Sequence, residues 1–247
     1  MAKRHTRANP LIVIKSTTEL VPEKEVRSII KSLQRQVSEH FQPAWGIDAT
    51  IVYAEDGKEY PDAYRLNIRR TAKEADKGFI GYHFSEEGYP IATIFAKEDL
   101  AEDKTVSDTL SHEILEMLVD PACNLYAHRP AEGRRPARGY FYEVCDAVQA
   151  HKYKIGRHLV CNFVYPEWFE HTWAPGKRKF DYLGLLNEPF EVLAECYADV
   201  FQRTRGKRPL FRTIWGPDNQ HEHAKGKKRH RKGHRNSQRK KVRGTEE

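Results

Sequence analysis

Between Leu11 and Val119 the spacing of apolar residues switches from about two to about 3.6 and back. This alternation restricts the chain to a mixed α+β architecture. Leu11 to Lys15 reads as a short strand. Pro22-Glu23-Lys24-Glu25 opens a helix, because proline suits the first turn and early acids complement the helix dipole. Val26, Ile29, Ile30, Leu33, Val37 and Phe41 then recur at helical spacing, and Gln42-Pro43 is expected to end the run. Strands are predicted over 49–54, 63–69, 78–84 and 91–96. The second of these alternates Tyr64, Leu66 and Ile68 with Arg65, Asn67 and Arg69. The third contains Gly78 and Gly81, which would let another element approach its backbone. A second helix starts among the caps of 103–108, runs to Val119 and stops at Asp120-Pro121. The expected layer is one mixed sheet packed by two helices, 22–41 and 105–119.

The second half is less regular. Residues 127–139 read as a basic loop rich in Pro and Gly. Strands are expected at 140–144 and 159–164, and a short helical turn at 166–169. Residues 190–201 fit either a helix or a bent strand. Charge divides the chain into parts. Residues 222–247 hold 11 Lys/Arg against 3 Asp/Glu, whereas the other 221 residues carry 31 basic and 32 acidic side chains. The body is therefore not a nucleic-acid surface on charge alone, and the whole excess sits in the tail. The organisation expected is a basic N-terminal arm (1–9), a single α+β domain (10–221) and a disordered polybasic tail (222–247).

No stretch approaches the roughly 20 apolar residues that span a bilayer. The run Leu11-Ile12-Val13-Ile14 is too short for a signal sequence. Cys123, Cys145, Cys161 and Cys196 show no C-x-x-C spacing. Together these features predict reduced thiols, a cytoplasmic location and no membrane insertion.

The segment that bears chemistry is Ser111-His112-Glu113-Ile114-Leu115-Glu116-Met117-Leu118-Val119-Asp120-Pro121. On a helix His112 and Glu116 stack one turn apart, so an imidazole and a carboxylate can hold one divalent ion. Leu110, Ile114 and Leu118 take the opposite face. Glu113, about 100° round the helix, could accept a proton from a water polarised by that ion. Glu143-Val144-Cys145-Asp146 is the best source of a third ligand. In a strand Glu143 and Asp146 would face opposite ways; in a helix they would share a face. Glu143 is favoured, with Asp146 as the alternative or as a partner that orients a ligand. Asp120 is a further ligand candidate, an orienting partner, or simply the helix stop. Cys145 could ligate zinc or point into the core. Tyr82 and His83 are weaker candidates for the same cleft.

The pattern H-E-x-x-E resembles the zincin metallopeptidases. It is more similar still to an uncharacterised group of bacterial and phage proteins with S-H-E-x-x-E-x-x-x-D-P followed by E-x-x-D. The resemblance covers about 91–169. It implies an edge strand just before the active-site helix, a metal on His112, Glu116 and Glu143 or Asp146, and Glu113 as general base. Two features depart from the zincin pattern: Glu116 stands where a second histidine would be, and the only methionines are Met1 and Met117, so there is no Met-turn. Zinc is the leading ion, while the oxygen-rich set also suits Mn, Mg or Fe.

The function expected is a metal-dependent hydrolase acting on a peptide or protein. The rival is a non-enzymatic, phage-related component with a degenerate metal site that binds nucleic acid or protein. Phosphates would be met by Lys227, Lys228, Arg229, Arg231, Lys232, Arg239, Lys240 and Lys241. No aromatics interleave with those cations, so base stacking is not expected. The plain alternatives are surface acids on a solvated helix, a structural His83, core roles for Trp168 and Phe169, and a solubilising tail.

Overall fold

The computed structural model describes residues 9–73, 79–86, 88–101, 105–133, 136–171, 179–202 and 208–217. All but one residue of the expected N-terminal arm and the whole polybasic tail lie outside the described residues. The apolar run at the start forms β1 (Leu11–Ser16), with Ile12 and Ile14 fully buried. Helix α1 (Glu23–Arg35) follows Pro22, with Glu23 and Glu25 in its first turn. Its apolar stripe (Val26, Ile29, Leu33) continues through Val37 and Phe41 in a widened π-helical turn, Gln36–Phe41. The helix does not end at Gln42-Pro43. It runs on as α2 (Gln42–Trp45), because Pro43 falls in a first turn where its missing N–H costs nothing. Gly46, at φ 65°, terminates it in the left-handed region.

Strands β2 (Thr50–Tyr53), β3 (Tyr64–Arg69), β4 (Gly81–Glu86) and β5 (Tyr89–Phe95) complete a five-stranded sheet ordered β2-β1-β3-β5-β4. All its neighbours are parallel except β4 and β5, which form an antiparallel hairpin. The strand directly before the acid-bearing helix is therefore not at the edge, as the resemblance implied. That strand, β5, pairs on both sides, and β4 takes the edge. A short helix, α3 (Ala96–Ala101), which the periodicity did not reveal, connects β5 toward α4 (Val106–Val119).

The expected apolar back and polar front of α4 are not what forms. Every residue from Val106 to Val119 is buried. The helix runs through the core between the sheet and a second-half hairpin, β8 (Lys152–Ile155) with β9 (His158–Cys161). Buried polar contacts fix it there. Ser111 Oγ donates to Gln36 Oε1 (2.7 Å) and accepts from the Cys161 amide (3.0 Å), while Gln36 Nε2 donates to the Cys161 carbonyl (2.8 Å). Ser107 Oγ donates to the Leu159 carbonyl (2.8 Å), and Thr109 Oγ1 to Asp99 (2.7 Å). Lys152 pairs with the buried Asp108.

The second half is more ordered than its composition suggested. The described parts of the 127–139 segment include two strand pieces, β6 (Tyr126–Arg129) and β7 (Arg138–Phe141). They join β10 (Tyr197–Gln202) and β11 (Leu210–Trp215) in an antiparallel sheet ordered β11-β10-β7-β6. The ambiguous 190–201 segment is thus resolved as a strand at its end. Trp168 and Phe169 are buried, as expected of core residues. Among the described residues no helix is long and apolar enough to cross a membrane.

Because Ser111 and Gln36 join three elements in the interior, Ser111→Ala should leave the Gln36 amide and the Cys161 N–H short of a buried partner. Chemical denaturation should show a loss of about 1–3 kcal/mol with an unchanged m-value.

Candidate metal centre

The geometry starts from the close approach of β4 to α4. At Gly81 a Cβ would stand 2.9 Å from Ile94 Cδ1, 3.0 Å from Thr109 Cγ2 and 3.4 Å from Glu113 Oε1. A glycine there lets the strand lie against the helix and brings the next-but-one residue, His83, to the Glu113 carboxylate. His83 Nδ1 and Glu113 Oε2 are 3.0 Å apart, and Glu116 Oε2 is 3.8 Å from the same nitrogen. The other ring nitrogen, Nε2, lies 4.0 Å from Glu143 Oε2. Burial opposes a charge on His83, yet the Cys123 sulfur and the Glu113 and Glu143 carboxylates hold its pKa up at about 10. Those contacts favour the protonated ring beside the buried acids.

One turn along, His112 Nε2 meets Glu116 Oε1 at 3.1 Å and Asp146 Oδ1 at 3.2 Å. Asp146 opens a single 3₁₀ turn (Asp146–Val148) beyond β7. The loop before it is pinned to α4, since the Cys145 amide donates to Glu116 Oε1 at 3.3 Å. Glu143 lies in that loop, and neither the strand nor the helix considered from sequence accounts for it. It falls on the His83 side, and Asp146 on the His112 side. At His112 the nearer of the two acids is thus Asp146, the alternative considered from sequence. Burial, reinforced by Glu143 and Asp199, raises the Asp146 carboxyl well above the usual range.

Three groups of side chains bring their donor atoms within 4.8 Å of one another: His112, Glu116 and Asp146; His83, Glu113 and Glu116; and His112, Cys145 and Cys161. Around an ion with bonds of about 2.1 Å, donors stand about 3.0 Å apart on octahedral edges and about 3.4 Å apart on tetrahedral ones. The 3.1 and 3.2 Å separations about His112 Nε2 fall between those values. The thiols lie on the other side of the same ring, with Cys161 Sγ 3.8 Å from His112 Nδ1. Both are held as neutral thiols, because burial raises their pKa values. The first two groups are thus the hard, oxygen-rich ones, and the first retains a contact with solvent through the His112 side chain, which is 10% exposed against 1% for His83.

The remaining candidates have other surroundings. Asp120 accepts N–H bonds from Asn124 (3.0 Å) and Leu125 (2.9 Å), which fixes the turn after α4. Cys123 sits in that turn with φ 53°, a conformation that places its sulfur by His83. Tyr82 packs against Phe79, Phe84 and Phe95, since neighbouring residues on a strand face opposite ways. It does not join His83 at the acids. Sequence reasoning missed Cys123, in the turn just after α4, and Cys161, Tyr197 and Asp199, which act on the cluster from elements distant in the chain. No family model, curated protein or solved structure matches this chain.

The contacts of Asp120 predict that Asp120→Ala lowers stability by about 2–3 kcal/mol, the scale of charge-assisted bonds to backbone. Divalent-ion affinity per folded molecule, followed by calorimetry, should stay within about threefold of wild type.

Proposed function

We propose that this protein is a metal-dependent hydrolase of zincin-like type, with a peptide or protein as substrate. The observation that carries the reading is the convergence of His112 Nε2 on carboxylate oxygens of both Glu116 and Asp146, from separate elements, at 3.1 and 3.2 Å. The donor chemistry fits a divalent cation: one imidazole and two acids, in a region where burial already disfavours uncompensated negative charge. Zinc is the ion expected, and Mn, Mg or Fe would suit the same oxygens. When bound, such an ion polarises water and a substrate carbonyl at neutral pH.

The chain's own residues supply the remaining parts. Glu113 accepts the proton of the attacking water. His83, bonded to Glu113 at 3.0 Å, fixes the orientation of that carboxylate and withdraws part of its charge. Tyr197 hydrogen-bonds to Asp146 and steadies the ligand from β10. The polybasic tail would tether the protein to an acidic partner such as nucleic acid.

A second reading is supported by the burial itself. Glu113, Glu116 and Asp146 are at most 1% exposed, and closed sites are usually structural. In that case an ion on the same ligands holds α4 to the 143–146 loop, and the protein is a non-enzymatic, phage-related binding component.

Glu113→Gln discriminates between the two. Under the hydrolase reading it should lower cleavage of an unstructured protein substrate by about 10²–10⁴-fold while metal content stays at the wild-type level. Under the structural reading wild type and variant show the same background cleavage, and chelation lowers the melting temperature of both. His112→Ala should lose the ion under either reading, with bound metal per chain falling at least about tenfold by elemental analysis.

A further inference from the structure

We propose that the sheet of the second half carries a separate binding pocket for a small oxyanion, a carboxylate or phosphate attached to a flat or apolar group. The inference does not rest on the metal reading. Its basis is a pair of arginines that the hairpin β6–β7 forces together. Arg129 and Arg138 are direct antiparallel partners, so their side chains leave the same face of the sheet. Like charges placed opposite one another destabilise a sheet. Among the described residues neither arginine forms an ion pair, and the Nε atoms of both are shut off from solvent without a hydrogen-bond partner. Arg129 is held by donating Nη2 to the Pro136 carbonyl at 3.3 Å and by lying over the Tyr140 ring at 5.7 Å.

Arg129 and Arg138 both line a cavity of about 290 Å³. Its floor is aromatic: Tyr140 and Phe190, with centroids 4.6 Å apart, and Trp215. Glu188 also lines it, outside ion-pair range of either arginine. The wall at Gly216 is rigid. Its amide donates to the Cys196 carbonyl at 3.0 Å, and a Cβ there would lie 1.9 Å from the Leu193 carbonyl oxygen.

These features select the ligand. Guanidinium groups match the paired oxygens of carboxylates and phosphates in a fork geometry. An aromatic floor adds stacking for a flat group. The volume is at the lower end for small-molecule sites, so it admits a small ligand or a single terminal residue and not a folded partner.

The test uses the full-length chain titrated with benzoate and, separately, phenyl phosphate, followed by calorimetry and tryptophan fluorescence. One saturable site per chain is expected for at least one probe, and the tighter probe identifies the head group. Arg138→Ala and Arg129→Ala should each weaken it at least tenfold. Trp215→Phe should remove the fluorescence change. A control separates ligand binding from a structural role: without ligand, Arg138→Ala should melt at or above the wild-type temperature, because a like-charge contact is relieved. The proposal is overturned if neither probe saturates. It is equally overturned if binding survives both arginine variants, which would place it on the basic tail, or if Arg138→Ala melts lower and binds as before.

Discussion

Everything in the site depends on one constraint: α4 has no solvent-facing side. A helix that carries His112, Glu113 and Glu116 through the interior places charged groups where water cannot solvate them, at a cost of several kcal/mol for each isolated ion. The fold answers that cost by concentrating partners. Two imidazoles from different elements face the acids, backbone amides reach the carboxylates of Glu116 and Asp120, and Asp146 is biased toward its neutral form. A divalent cation would satisfy the same electrostatic demand more fully than imidazolium alone, which is the physical reason to read the cluster as a metal centre.

His112 divides the cluster. Its Nε2 faces two carboxylates, and its Nδ1 faces the Cys161 thiol with Cys145 close by. A hard ion on one side and soft thiols on the other are alternatives that one ring must choose between. Burial raises the pKa values of the thiols and of Asp146 alike, so the two sides differ in donor chemistry, soft sulfur against hard oxygen. The Gln36–Ser111–Cys161 contacts set the rotation of α4 on which this division depends.

Much of the first 120 residues was legible because their elements bury one clear face. The strand 63–69 alternates cleanly, and the helix beginning at Pro22 has a continuous apolar stripe. Gly81 was recognisable as a point of close approach, and its neighbour proves to be α4. The wholly buried environment of α4 was not legible, because Ser107, Thr109 and Ser111 look like surface residues until their buried partners are known. Position along the chain also misled. Glu143 and Asp146 are separated by a turn that neither helical nor strand spacing describes, so their assignment to different imidazoles needed coordinates. The hairpin β6–β7 was hidden by Pro and Gly between its strands, and with it the pairing of Arg129 and Arg138.

The central claim is that a cation belongs between His112, Glu116 and Asp146. Anomalous diffraction from crystals of the full chain, recorded on both sides of the absorption edge of whatever metal copurifies, tests it most directly. The account predicts an edge-dependent peak within about 2.3 Å of His112 Nε2 and of one oxygen from each acid. A peak held instead by Cys145 and Cys161, or density showing only water or direct hydrogen bonds between these three side chains after saturation with zinc and manganese, would contradict it.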